Sequence, residues 1–281
     1  MDVAAERDRS TRVAGYLTEL FGLQDRTAVV TGATSGLGAA CAVALAAAGA
    51  DVVVCGRDRE RGERVVATIA EAGGTAGLEL ANLADADEVR GFARRVLDRH
   101  EHVDILVNAA GIFLRGDASD APLEDWQQTF EVNVTATFLL CQAFGRRMIE
   151  RGHGKIVNFA STDGVVGVPE QAAYCASKGA VIQLTRTLGA EWITHGINVN
   201  AIGPCDFETP MVEGVLTTPS TGTGSCRPFR PGASAARRSW PARWCTSRQP
   251  PRTWWSATRC WSTAAGPSSD QGRRRVPSAT T

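Results

Sequence analysis

Six short apolar segments alternate with stretches of helical spacing between Thr27 and Ile202, and no other feature restricts the fold of this chain more. The strand-like segments are Thr27–Thr31, Asp51–Cys55, Leu78–Ala81, Asp104–Asn108, Lys155–Ala160 and Ile197–Ile202. Helical spacing fills Gly36–Ala48, Arg59–Ala72, Asp85–His100, Leu123–Arg151 and Ala173–His195, the fourth long enough to expect a break. On Asp85–His100, for example, Val89, Phe92, Val96 and Leu97 share one face. Strands joined by helical crossovers run parallel, with helices on both faces. The expected class is therefore α/β, a doubly wound parallel sheet.

The alternation ends near Leu216. From Thr217 to Thr281 there is no Leu and no Ile, yet five of the seven Trp and three of the eight Cys fall there. That stretch holds eleven of the 30 basic residues, all Arg, and one of the 30 acidic ones, Asp270. The formal charge of zero thus divides into 19 basic and 29 acidic residues before the break and the reverse excess after it. No period of two or of 3.6 survives in the tail. Residues 1–19 read as an N-terminal extension, 20–216 as the folded domain and 217–281 as an aberrant tail. The tail is expected to be disordered or poorly packed, because its few aliphatic side chains cannot offset the entropy of ordering.

The cysteines show no C-x-x-C and no metal-ligand spacing, so they read as free thiols in a reducing cytoplasm, with no metal site. The charged N-terminus lacks the apolar stretch of a signal peptide, and no run approaches the ~20 apolar residues of a membrane span. Neither a membrane nor a nucleic acid is an expected partner. The Arg- and Trp-rich tail suits single strands by composition, but the same composition has another origin, given below.

The first strand opens into Thr31-Gly-Ala-Thr-Ser-Gly-Leu-Gly38. Gly32, Thr34, Ser35, Gly36, Leu37 and Gly38 place backbone N–H groups at a helix N-terminus, which suits a pyrophosphate. The bland alternative is a plain turn. The second strand ends in Val54-Cys55-Gly56-Arg57, with no acid to hold ribose hydroxyls and a cation to pair with a 2′-phosphate. That favours NADP over NAD. The small residues of Asn108-Ala109-Ala110-Gly111 let a cofactor lie close to the backbone. Tyr174 and Lys178, four residues apart, share a helix face, and a nearby ammonium draws a phenol from its ordinary pKa of about 10 toward phenolate. A hydride carrier beside such a proton donor makes a carbonyl reductase. Ser161 follows the fifth strand, at the sheet edge where open α/β sheets bind ligands, and could equally be a helix cap. Asn133, among Val132, Val134 and Phe138, reads by itself as a structural residue that bends a helix.

In this order and spacing, Thr31–Gly38, Asn108–Gly111, Asn133, Ser161, Tyr174 and Lys178 closely resemble the short-chain dehydrogenase/reductase family, over about Leu20–Met211. The resemblance implies a Rossmann-type sheet, a nicotinamide cofactor and a small-molecule substrate. It implies Tyr174 as general acid/base, Lys178 on the nicotinamide ribose, Ser161 on the substrate oxygen and Asn133 on a water-linked proton path. It also assigns Asn82 and Leu83 to the adenine side, and Pro204 and Thr209 to the nicotinamide side. Leu20-Phe-Gly-Leu23 and Glu191–Pro204 look most like gluconate 5-dehydrogenases and 2-deoxygluconate 3-dehydrogenases, which act on sugar acids. The 3-oxoacyl-carrier-protein reductases share most of the same motifs, and a catalytically dead nucleotide-binding remnant is the alternative from another class.

Three departures stand out. Cys205 follows Pro204 where the family usually has Gly, and Asn82 replaces the usual Asp near the adenine. The third departure is the tail, where the family normally continues with covering helices and a last strand. Re-read one base out of phase from Leu216, the tail spells Gly-Arg-Val-Gly-Arg-Pro-Glu-Glu and Val-Asp-Gly-Gly, which resemble that missing C-terminus. A frameshift near the Thr217 codon explains this. The expected consequences are a bare edge on the sixth strand, an open active site and an impaired form of the homotetramer usual in the family.

Overall fold

The computed structural model describes residues 15, 16, 18–205 and 258–261. The expectations for residues 1–14 and for most of 206–281, Thr209 included, lie outside the described residues. Six strands, β1 (Thr27–Thr31), β2 (Asp51–Gly56), β3 (Thr75–Leu80), β4 (Ile105–Asn108), β5 (Gly154–Phe159) and β6 (Ile197–Pro204), form a parallel sheet in the order β3-β2-β1-β4-β5-β6. The helices are α1 (Gly36–Ala47), α2 (Arg59–Glu71), α3 (Ala86–Arg99), α4 (Leu123–Phe130), α5 (Ala136–Arg151) and α6 (Ala172–Trp192).

Successive residues of a strand point to opposite faces, and the core divides accordingly. Ala28 and Val30 of β1 join Ala42, Ala46 and Ile69 of α1 and α2 on one face. Val29 joins Phe92, Leu140, Phe144 and Met148 of α3 and α5 on the other. The class read from the alternation is the observed one. Toward β6 the cover is uneven. On β5 and β6, Ile156, Ile197, Val199 and Ala201 are buried, whereas Val157, Phe159 and Ile202 on the opposite face are only half-buried.

Two local expectations need correction, and a third is borne out. The third strand begins at Thr75, before the apolar Leu78, because its backbone pairs with Asp51–Gly56 whatever its side chains. The break expected in Leu123–Arg151 is a π-helical turn, Glu131–Thr135, between α4 and α5. The edge of β6 is not bare along its whole length. A seventh strand, β7 (Thr258–Trp261), pairs antiparallel with Ala201–Pro204. Edge pairing joins backbone to backbone and requires no side-chain periodicity, so the tail's pattern gave no sign of it.

Candidate active site

The C-terminal ends of the strands bring the sequence candidates to one edge of the sheet. Gly32 and Gly36 there take positive φ values of 64° and 55°, in the left-handed region. A Cβ on Gly32 would stand 2.7 Å from Cα and N of Ala110, so the glycine turn and the loop after β4 touch backbone to backbone. Gly38, on the first turn of α1, packs against the Gly32 carbonyl, where a side chain has no room. Ser35 is the N-cap of α1 by position, but its hydroxyl caps none of the helix N–H groups. Those orphan donors are therefore available to an anion. Gly56 packs against Thr34, and Arg57 beyond it is exposed, with no ion pair or side-chain hydrogen bond among the described residues. A glycine cradle, an uncapped helix end and an unpaired cation fit a dinucleotide with a phosphorylated ribose. Leu83 is buried, while the Asn82 side-chain Oδ1 accepts from Ala84 N at 3.2 Å and closes its own turn.

The second group gathers on α6. Lys178 is 5% exposed and donates from Nζ to the Phe159 carbonyl at 2.8 Å. Burial lowers its pKa from 10.5 to about 8. Its Nζ lies 5.6 Å from the centroid of the Tyr174 ring, which confirms the shared helix face. The ring of Phe113 meets that of Tyr174 edge-on, with centroids 4.8 Å apart. Asn133 sits in the π-helical turn and bridges three elements. Its Oδ1 accepts from Ile112 N at 2.8 Å, and its Nδ2 donates to the Ile112 carbonyl at 3.1 Å and to Ser177 Oγ at 3.0 Å. A Cβ on Gly111 would lie 3.2 Å from Asn133 Oδ1 and 3.4 Å from Lys178 Nζ, so Gly111, Asn133 and Lys178 adjoin. Ser161 is 7% exposed and caps the short helix Thr162–Gly164, accepting from Asp163 N at 3.1 Å. That is the bland role foreseen for it, and its own O–H remains a donor.

Asn108 has its side chain inside the sheet. Its Nδ2 donates to Asn158 Oδ1 at 2.9 Å, and Asn158 Nδ2 donates to Thr185 Oγ1 at 2.9 Å. Thr31, Asn108 and Asn158 stand in register on β1, β4 and β5, and Thr31 Oγ1 accepts from Ala110 N at 3.3 Å. Sequence reasoning missed Asn158 and Thr185. A buried Asn inside the apolar strand Lys155–Ala160 was the available signal. It missed Phe113 as well, for which no local pattern exists.

Residues 26–219 match the sequence profile of the family described as short chain dehydrogenase. D-threitol dehydrogenase of Mycolicibacterium smegmatis is 41% identical over 187 residues, which cover 66% of this chain and 71% of that protein. 2-Dehydro-3-deoxy-D-gluconate 5-dehydrogenase of Bacillus subtilis is 40% identical over 190 residues, 68% of this chain and 74% of that one. Among solved structures, an NAD(P)-dependent gluconate 5-dehydrogenase from Beutenbergia cavernae with bound NADP superposes with a TM-score of 0.67 at 41% identity, over 69% of this chain and 77% of that one.

Proposed function

We infer the activity from one premise: the chain belongs to the short chain dehydrogenase family and is an oxidoreductase of that kind. On that premise it is a cytoplasmic, NADP-preferring enzyme of carbohydrate metabolism. It interconverts a secondary alcohol and a ketone on a sugar acid of the gluconate type. The observation that carries the reading is Lys178, a buried ammonium beside the Tyr174 ring and next to Gly111 and Asn133.

A bound NADPH supplies the hydride that the ketone carbon accepts. Tyr174 gives its phenolic proton to the ketone oxygen and takes it back in the alcohol direction. Lys178 makes that transfer easier, because a cation near the ring favours phenolate. Ser161 donates a hydrogen bond from its hydroxyl to the substrate oxygen and keeps its proton. Asn133 holds Ile112 and Ser177 in place around Lys178, and its backbone carbonyl accepts from Thr137 Oγ1 at 3.0 Å. Arg57 pairs with the 2′-phosphate, and the uncapped start of α1 receives the pyrophosphate. Gluconate-type substrates are supported by the likeness to proteins described as acting on them.

The test is NADPH oxidation, followed by absorbance, with a panel of keto sugar acids. Wild type turning over at least one of them, and Tyr174→Phe turning over none while binding NADPH normally, is the expected result. Activity retained in Tyr174→Phe refutes the acid/base assignment. NADPH binding without turnover of any substrate by wild type leaves a nucleotide-binding remnant.

The tail is read as the product of a one-base frameshift near the Thr217 codon. Three observations support this: the family match stops at residue 219, Leu and Ile vanish after residue 216, and Val157, Phe159 and Ile202 present a half-covered apolar face. An intact frame on both sides of that codon in the nucleotide sequence would dispose of it.

A further inference from the structure

Asp25 and Glu170 are the non-glycine residues with positive φ among the described residues, and Glu170, at 63°, lies four residues before Tyr174. A side chain in that region costs of order 1 kcal/mol or more and persists where its surroundings hold it. Two contacts hold Glu170. Its carboxylate pairs with Arg115 at 2.7 Å, and its backbone carbonyl accepts from Gly116 N at 2.9 Å. Both partners belong to the loop after β4, immediately beyond Phe113. Phe113 in turn touches the Tyr174 ring. The contacts close a small circuit: Tyr174 to Phe113, along the chain to Arg115 and Gly116, across to Glu170, and along the chain back to Tyr174.

The circuit borders a cavity of about 310 Å³, whose walls include Arg115, Trp126, Glu170 and Ala173. Gln171, the N-cap residue of α6, makes no side-chain cap. The geometry points to Glu170 and Arg115 as positioning residues: their clasp fixes where α6 begins and thereby the placement of the Tyr174 phenol relative to Lys178. An ion pair as exposed as this one, 34% and 52%, adds little stability of its own. Its part is to select one turn geometry out of several. The assignment rests on the proposed role of Tyr174, but the clasp itself does not depend on turnover.

That independence supplies the test. The chain has two tyrosines, so a Tyr16→Phe background leaves Tyr174 as the sole phenol. Its ionisation is read from phenolate absorbance in the full-length protein, active or not. The ionisable groups around Tyr174 include Lys178, Cys175, Asp163, Glu170 and Arg115, with Asp117 and Asp120 further along the loop after β4 and Glu124 and Asp125 on α4, and the variants alter only Glu170 and Arg115. Arg115→Ala and Glu170→Gln are expected to raise the phenol midpoint by about half a pH unit or more, as the ring moves away from Lys178, with NADPH affinity unchanged. Exchanging the charges in Arg115→Glu/Glu170→Arg is expected to restore it. If wild type turns over a substrate, kcat is expected to fall about three- to tenfold with KM nearly constant. Glu170→Gly, which relieves the left-handed strain while removing the carboxylate, guards against a folding artefact and is expected to shift the midpoint in the same direction. Midpoints unchanged in Arg115→Ala, Glu170→Gln and Glu170→Gly overturn the proposal, even if the enzyme proves active. A lack of wild-type turnover, with the midpoints shifted, overturns the enzymatic reading and leaves the clasp standing.

Discussion

Replacing Lys178 by Met separates stability from chemistry at one position. The ammonium is 5% exposed and burial brings its pKa from 10.5 to about 8. At ~1.4 kcal/mol per pH unit, that fall corresponds to a penalty of about 3 kcal/mol for carrying the charge in the folded state. Below pH 8 the lysine is charged whether the chain is folded or not, and the penalty is complete. Between the two pKa values the unfolded lysine holds a proton that the folded one has released, so stability rises with pH. Above 10.5 both forms are neutral and the penalty is gone. Wild type therefore gains about 2–3 kcal/mol from this residue between roughly pH 7 and pH 10, and Lys178→Met gains nothing from it. The variant also orphans the Phe159 carbonyl that Nζ serves, at a cost of about 1–3 kcal/mol that varies little with pH. Near neutrality the two terms nearly cancel, so the variant is expected to be about as stable as wild type while its turnover is lost. Urea unfolding of both proteins across that pH range, followed by circular dichroism, measures the difference. A wild-type-minus-variant stability constant to within ~0.5 kcal/mol would refute the assignment of a buried, strained charge to Lys178.

Gly32→Ala is expected to destabilise by about 2 kcal/mol or more, through left-handed strain and the clash with Ala110, and to abolish NADPH binding; thermal unfolding and a fluorescence titration check both. Arg57→Asp is expected to move the ratio of NADP to NAD affinity toward NAD by tenfold or more, measured by titration with each dinucleotide. At the far edge of the sheet, the buried Asp104 carboxylate accepts from Arg26 and Arg151, both at 3.3 Å, and from Thr27 N at 3.0 Å. Asp104→Ala is expected to cost about 2 kcal/mol, discounted for the partial exposure of both arginines, and to leave NADPH affinity unchanged.

What the sequence disclosed was whatever rests on local spacing. The turn after β1 was legible because Gly32 and Gly36 stand where φ must be positive, and the Tyr174–Lys178 pair because four residues make one helical turn. Asn133 was legible as a bend, but not as a clamp on Ile112 and Ser177, because those partners arrive from other elements. Glu170 carries no signal at all: glutamate is an unexpected occupant of a left-handed turn, and Arg115 meets it only after two loops fold side by side. The strand β7 escaped notice because backbone pairing leaves no mark on side-chain order. Composition was more telling than periodicity beyond Leu216, since Leu and Ile vanish there while Trp and Arg accumulate.

The polar row across Thr31, Asn108, Asn158 and Thr185 also works as a checksum on strand alignment. Parallel strands rich in Val and Ile are nearly interchangeable along their length, and hydrophobic burial alone distinguishes their registers poorly. A slip of two residues between β4 and β5 would keep every apolar face inward, yet it would set Asn108 against Ile156 or Asn158 against Leu106. Each stranded amide in that interior costs about 1–3 kcal/mol. Even one such loss is a sizeable part of the ~5–15 kcal/mol that holds a domain together. The misaligned sheet is thus disfavoured by the loss of the Asn108–Asn158 bond rather than by poorer packing, and the strand ends that carry the candidate site inherit their alignment from that bond one layer beneath them.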